Sequence, residues 1–214
     1  MKVNPTDLRR VNVFRDASDE DLKLFVENSV LRSIEEGEFF FFQGDPATYF
    51  YVLITGRAKL LQTNPAGQQV NLRTINEWQM FGALGAVREN AVYPATAQAL
   101  ESSTALAIES SFLKEMMQTR PDLNLNLMQL MTGYIMEMQE RYRELATERV
   151  ERRIALTVLR LAAQIGKRIS SEEMIVELPL SRQDMAEASG TTIFTVSRPG
   201  TGRDPESAWL GANF

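Results

Sequence analysis

The chain contains no cysteine and no histidine. Without cysteine there is no disulfide, no thiolate zinc site and no cysteine-bound iron–sulfur cluster. Haem held by a protein His or Cys is excluded on the same ground. Neither a Ser-His-Asp nor a Cys-His catalytic set can be assembled, which leaves proton chemistry to carboxylates, lysine or tyrosine. Acidic pairs such as Glu35-Glu36 and Glu172-Glu173 are sequence neighbours and read as solvated, so an enzyme is not expected, nor a metal or cofactor. Long hydrophobic runs are absent too. No window holds the roughly 18 apolar residues that a membrane span needs, and residues 1–10 lack the apolar stretch of a secretory signal. The expectation is a cytoplasmic protein with no membrane partner.

What is present suits a folded chain of one or two domains: 214 residues, 44% hydrophobic, 24% charged, mean hydropathy -0.21. The net charge of -5 does not by itself suggest nucleic acid. The acidic excess lies within residues 1–146, however, while residues 147–214 balance, so phosphate repels the C-terminal part less.

The opening stretch from Asn4 to Leu31 reads as helical. Leu22, Phe25 and Val26 recur at helical spacing after Ser18, an N-cap with acidic residues behind it. From Ile34 to Ile108 short apolar runs alternate with Gly-, Pro- and Asn-containing turns, which predicts many short strands in a barrel or double-sheet roll. Its densest run, Phe39 to Phe42, reads as a buried strand. A short helix over Phe112–Thr119 follows. From Asp122 to Ala146 there is no proline, and Leu127, Met131, Tyr134, Met138, Arg141 and Leu145 are spaced alternately by four and three. That heptad seam, interrupted by Arg141, predicts a helix about 37 Å long. A small roll cannot cover all of it, so part needs another partner. After a charged hinge at 147–153 come a helix over Ile154–Gln164, a stop at Gly166 and an alternating strand over Glu173–Leu180. The segment Ser181 to Arg198 then reads as helix, tight turn at Gly190, helix. This is a helix-turn-helix pattern whose second helix would meet DNA bases.

This order resembles the bacterial cyclic-AMP receptor and fumarate–nitrate regulator (Crp/Fnr) family of transcription factors. The resemblance spans about residues 5–198. It is carried by Gly37-Glu38, Gln43-Gly44-Asp45-Pro46, the run from Tyr51 to Leu60, Phe81-Gly82-Ala83-Leu84-Gly85, Tyr93-Pro94-Ala95-Thr96-Ala97 and Thr195-Val196-Ser197-Arg198. It implies an α+β chain. A cyclic-nucleotide-binding-like double-stranded β-roll (jelly roll) would occupy residues 1–120, a dimerisation helix 121–146, and a (winged) helix-turn-helix DNA-binding domain 147–214. The implied partners are an operator palindrome in DNA, a second copy of the chain, a small-molecule effector of unknown identity and, in activators, RNA polymerase.

Three departures qualify the resemblance. Cyclic-nucleotide members place a Glu after Phe-Gly for the ribose and an Arg-Ser pair for the phosphate; here Ala83 and Tyr93-Pro94 stand there. The Thr-Ser pair that the dimer helix usually offers to adenine is matched by Met138-Gln139. A buried phosphate needs a cation or aimed N–H groups. The nearest are Arg88 and the Gly82–Gly85 turn, which look insufficient, so an effector other than cyclic AMP is expected. Its pocket would draw on Phe81, Gly82, Ala83, Leu84, Arg88, Tyr93, Pro94 and Ala95 of the roll, and on Tyr134, Met138 and Gln139 of the helix. The recognition helix carries Ile193-Phe194 in place of the family's guanine-reading Arg-Glu, and these can touch only a thymine methyl. Ser181, Arg182, Thr191, Thr192, Ile193, Thr195, Ser197 and Arg198 are left as DNA contacts. Finally, Pro199 and the Gly- and Pro-rich residues after it would stop the recognition helix about two turns in, with no wing pattern beyond. A frameshift, an artefact or a natural truncation would each produce such a tail. The second reading is therefore an effector-sensing dimer whose DNA binding is lost or weakened after Arg198.

Overall fold

The computed structural model describes residues 3–67, 69–165, 167–168, 174–175 and 182–197. They fall into two compact units, Met1–Glu137 and Met138–Phe214.

The first unit opens with two 3-10 turns, Pro5–Arg10 and Asn12–Phe14, then helix α1, Asp19–Glu27. Ser18 caps α1 by accepting the Asp21 N–H at 3.1 Å. The helical expectation across Asn4–Leu31 is corrected at both ends. Pro5 and the apolar Val11, Val13 and Phe14 give short turns, and Leu31 lies in a strand, because Ser29–Ile34 pairs with a later strand in register. Eight strands follow: β1 Ser29–Ile34, β2 Phe39–Phe41, β3 Tyr49–Thr55, β4 Ala58–Thr63, β5 Gln69–Ile75, β6 Met80–Phe81, β7 Thr96–Ala99 and β8 Ser103–Glu109. They form two four-stranded antiparallel sheets, ordered β1-β8-β3-β6 and β2-β7-β4-β5. Helix α2, Leu84–Val87, interrupts the strands; α3, Ser110–Thr119, and α4, Pro121–Thr147, follow them.

Strand period explains why β3 and β8 read as unbroken apolar runs. Successive side chains point to opposite faces, and here both faces are covered. Phe50, Val52, Ile54, Leu106 and Ile108 pack with Phe14, Leu22, Phe25, Leu113, Leu123 and Leu127 of the helical side. Tyr51, Leu53, Ala105 and Ala107 point the other way, into the roll, against Phe41, Ala58, Ile75, Phe81, Tyr93 and Ala97. The first sheet is thus a wall between two cores. The phenylalanine run does not behave as one buried strand. A bulge between Phe39 and Phe41 sends Phe41 inward, while Phe39 and Phe42 stay 39% and 51% exposed with their rings 4.7 Å apart.

Polar ties fasten the helical side. Asp21 is buried on α1 and meets Arg120, the residue between α3 and α4, through Nε at 2.9 Å to both carboxylate oxygens and through the terminal nitrogen at 2.7 Å. Those hydrogen bonds hold the Asp21 carboxyl below its usual range. Asn126 of α4, also buried, donates to the Val13 carbonyl and to Asp16.

The second unit contains the end of α4, helix α5 (Val150–Ile165), a two-stranded antiparallel pair β9 Lys167–Arg168 and β10 Met174–Ile175, and helices α6 (Arg182–Ser189) and α7 (Ile193–Val196). The charged segment expected as a hinge is largely helical: α4 runs to Thr147 and α5 begins at Val150. Most of the Glu173–Leu180 strand, the Gly166 stop, the Ser181 cap and everything from Arg198 onward, including the tail and any wing, lie outside the described residues.

Candidate functional site

The roll interior is built where β6 ends and the chain turns at Gly82. Gly82 has φ +78, and a Cβ there would stand 3.2 Å from a Phe41 ring carbon and 3.3 Å from a Tyr93 ring carbon. The turn thus requires glycine for its backbone angle and for the closeness of two rings. Tyr93 is 3% exposed. Its ring stacks on Phe41 with centroids 3.7 Å apart and planes at 14°. Its hydroxyl donates to the Tyr49 carbonyl at 2.6 Å and accepts the Tyr49 N–H at 3.2 Å. Around it Tyr51 stacks on Phe81 at 5.2 Å, and Phe40 meets Tyr51 and Phe81 edge-on. Five aromatic rings therefore touch in a chain through the space that the Gly82 turn overlooks. Burial pushes the Tyr93 and Tyr51 phenols above their ordinary range, so both stay neutral hydroxyls.

Of the expected pocket residues, Phe81, Gly82 and Tyr93 do meet in or beside this interior, and Ala95 is buried. Ala83 packs instead with the helical-side core, as the residue preceding α2. Leu84 begins α2 half-buried. Arg88, the expected cation, is exposed at the C-terminal cap of α2, where the backbone is already extended. Pro94 is exposed, as are Met138 and Gln139. Tyr134 lies half-buried on α4 under the Arg73 guanidinium, 3.9 Å from the ring centre, and its hydroxyl is buried without a hydrogen-bond partner. Phe41, Tyr49, Tyr51 and Arg73 were missed by sequence reasoning. The signal for the first three was alternation along the Phe39–Phe42 and Tyr49–Ile54 runs; nothing in the sequence singles out Arg73.

The residues of the heptad column expected on α4 divide between covered and exposed positions. Leu127 is 5% exposed, in the first unit's own core, and Tyr134 is covered by Arg73. Arg141 is half-buried. The other expected column, Met131, Met138 and Leu145, is exposed at 44%, 69% and 53%. Beside it stands Met128, Ile135 and Tyr142, exposed at 67%, 56% and 76%. Together these six residues follow one another by steps of three and four, an apolar row along one face. Leu127 and Tyr134 are the members covered by the first unit itself.

In the second unit Glu144, buried, accepts Arg160 at 2.6 and 2.7 Å, tying α4 to α5. Helix α6 packs through buried Met185, Ala186 and Ser189. The chain reverses at Gly190, φ +62, and the Thr191 N–H returns to the Ala186 carbonyl at 2.9 Å. Thr192 caps α7, and its hydroxyl pairs with that of Thr195 at 3.0 Å. Arg182, Thr192 and Ile193 are exposed; Thr191, Thr195 and Ser197 are half-buried. Phe194, 83% exposed, also stands on this surface; it was not among the expected contacts. Ser181 and Arg198 lie outside the described residues.

Known proteins place this architecture. A β-roll of two four-stranded sheets followed by a long helix is the cyclic-nucleotide-binding domain, and the family described as "Cyclic nucleotide-binding domain" matches residues 31–120. Over 191 residues the chain is 28% identical to the global nitrogen regulator of Synechococcus elongatus, across 88% of this chain and 82% of that one. Over 167 residues it is 30% identical to the transcriptional activator protein Anr of Pseudomonas aeruginosa, across 78% of this chain and 67% of that one. The solved c-di-GMP-responsive global regulator CLP of Xanthomonas campestris shares the fold, with TM-score 0.71 over 84% of this chain and 88% of that one at 18% identity. The chain belongs to the Crp/Fnr family of transcription regulators. Among the described residues, no helix is long and apolar enough to cross a membrane.

Proposed function

We propose that this chain works as a homodimeric DNA-binding regulator, paired along α4 and reading an operator palindrome through a helix-turn-helix made by α6 and α7. In this reading residues 1–120 are the sensing roll, 121–146 the dimer helix and 147–214 the DNA-binding part. RNA polymerase is a further partner if the regulator activates. The observation that carries the proposal is the six-residue apolar row on α4, every member at least 44% exposed. A contiguous apolar stripe left in water marks an interaction surface, and a stripe with heptad spacing fits a second copy of itself.

The roll's signal, in this reading, is not a cyclic nucleotide. In this reading Tyr93 takes the place where the family holds a phosphate; its hydroxyl is spent on the Tyr49 backbone, and Arg88, the cation expected there, is exposed. Burying a cyclic phosphate would require opening the aromatic stack with no charge to receive the anion. Ligand and DNA roles thus rest on different elements, as a regulator requires.

Ile135→Glu and Met138→Glu test the dimer. Each places a charge in the row, so light scattering behind gel filtration should read a dimer for the wild type and a monomer for both variants. A wild-type monomer at micromolar concentration would sink the pairing. The same samples on a palindrome selected from random DNA should show nanomolar binding only as dimers. A wild-type dimer with no DNA affinity would instead favour the second reading, for which the Arg198-Pro199-Gly200 segment is the sequence argument.

A further inference from the structure

We propose that Arg153 is the positioning residue of the α6–α7 turn, locking it to the junction of α4 and α5, and that Leu145 completes the lock from α4; the DNA consequence rests on the reading above. Arg153 lies in the first turn of α5 and all three of its guanidinium nitrogens are engaged. Nε donates to the Ser189 carbonyl at 3.1 Å, one terminal nitrogen to the Gly190 carbonyl at 3.0 Å, and the other to the Glu148 carbonyl at 3.4 Å. The last carbonyls of a helix have no partner within it and carry its negative end. One planar cation here satisfies carbonyls at the end of α6 and at the end of α4, a fork that a lysine cannot reproduce.

The second contact comes from α4. A Cβ on Gly190 would stand 2.7 Å from Leu145 Cδ2, so Leu145 lies against the bare backbone of the residue whose carbonyl Arg153 holds. Leu145 is also the last member of the exposed row on α4. The rotamer it takes when that row is covered is therefore felt at Gly190, four residues before Phe194 and two before the cap of α7. Arg153 points inward to carbonyls, which distinguishes it from a residue that grips phosphate. Its effect on DNA runs through the placement of Thr192, Phe194 and Thr195.

Two measurements on the full chain test this. The first is DNA affinity against salt for wild type, Arg153→Gln, Arg153→Lys and Leu145→Ala. The expected result is a loss of about tenfold or more in Arg153→Gln, partial recovery in Arg153→Lys, and an unchanged salt slope in both, since no phosphate contact is removed. A slope lower by about one in Arg153→Gln would make the residue a phosphate contact and overturn the proposal. Unchanged affinity would overturn it too. The second measurement is amide hydrogen exchange at Thr191, Thr195, Val196 and Ser197, whose N–H groups bond to Ala186, Thr192, Thr192 and Ile193. These amides should exchange about tenfold faster in Arg153→Gln and Leu145→Ala, with amides of the β-roll unmoved. Exchange unchanged at the turn refutes the lock whether or not the chain binds DNA. Faster exchange in both variants, alongside a wild type that ignores DNA, keeps the lock and fails only the DNA reading.

Discussion

Replacing Tyr93 by Phe removes one oxygen and leaves the ring, so it isolates what the hydroxyl does inside the roll. In the wild type that oxygen satisfies both backbone groups of Tyr49, donating at 2.6 Å and accepting at 3.2 Å. The variant leaves an N–H and a C=O at the start of β3 without this partner. An unsatisfied group beside a core costs about 1–3 kcal/mol. Tyr49 is only half-buried and water can repair part of the loss, so the expected cost is about 1.5 kcal/mol. With a urea slope of about 2 kcal/mol/M, the midpoint should fall by about 0.7 M. Tyr93→Ala should cost more, about 3–5 kcal/mol, because the Phe41 ring loses the partner stacked on it. The pH dependence has a definite sign. Burial raises the Tyr93 phenol above its unfolded value, so the stability it contributes is complete below pH about 10 and is lost as pH rises beyond that. The Phe variant should show a smaller alkaline loss, the part due to the raised Tyr51 phenol remaining. Urea unfolding followed by tryptophan emission, at pH 7 and at pH 11, measures both effects. If Tyr93→Phe is as stable as the wild type at pH 7, the hydroxyl is not the link between the Tyr93 strand entry and β3, and the account of the plugged roll fails.

Other outcomes follow from the same geometry. Isothermal titration with cyclic AMP and cyclic GMP at millimolar concentration should give no heat of binding; saturable binding of either would show that the Phe41–Tyr93 stack opens. The depressed Asp21 carboxyl stabilises the fold above its unfolded value, near pH 4, and that contribution is lost as pH falls further through the folded value. Urea midpoints from pH 6 to pH 3 should therefore fall more steeply for the wild type than for Asp21→Asn. Gly133→Ala on α4 should raise stability by about 0.5–1 kcal/mol, since a Cβ there meets nothing within 4 Å and alanine costs the helix less; a lower melting temperature would mean that the face is covered.

The strand-rich middle and the long helix were legible because their signals are local. Turn glycines punctuate the strands, and the proline-free stretch from Asp122 runs for seven turns. The Ser18 cap was legible for the same reason, since its hydroxyl acts on an N–H three residues away. What failed was anything set by a partner distant in sequence. Leu31 carries no local mark of a strand; it becomes one by pairing with Leu106. Heptad spacing fits two adjacent columns of α4 almost equally well. Only the roll, by covering Leu127 and Tyr134, decides that Met128, Ile135 and Tyr142 remain outside. The phenylalanine run was misjudged because a one-residue bulge reverses which rings face inward.

The sequence alone determined the chemistry this protein lacks. A chain with neither cysteine nor histidine has no thiolate or imidazole to offer, whatever its fold. It also determined the order of roll, helix and helix pair, because hydrophobic period and turn residues are read within a few positions. Tertiary structure decided which rings fill the roll, which column of α4 meets water and which carbonyls Arg153 holds. The rings and the α4 column are set by a wall of strands whose two faces serve two different cores, and the Arg153 contacts by the return of α6 to the start of α5; both join atoms far apart along the chain.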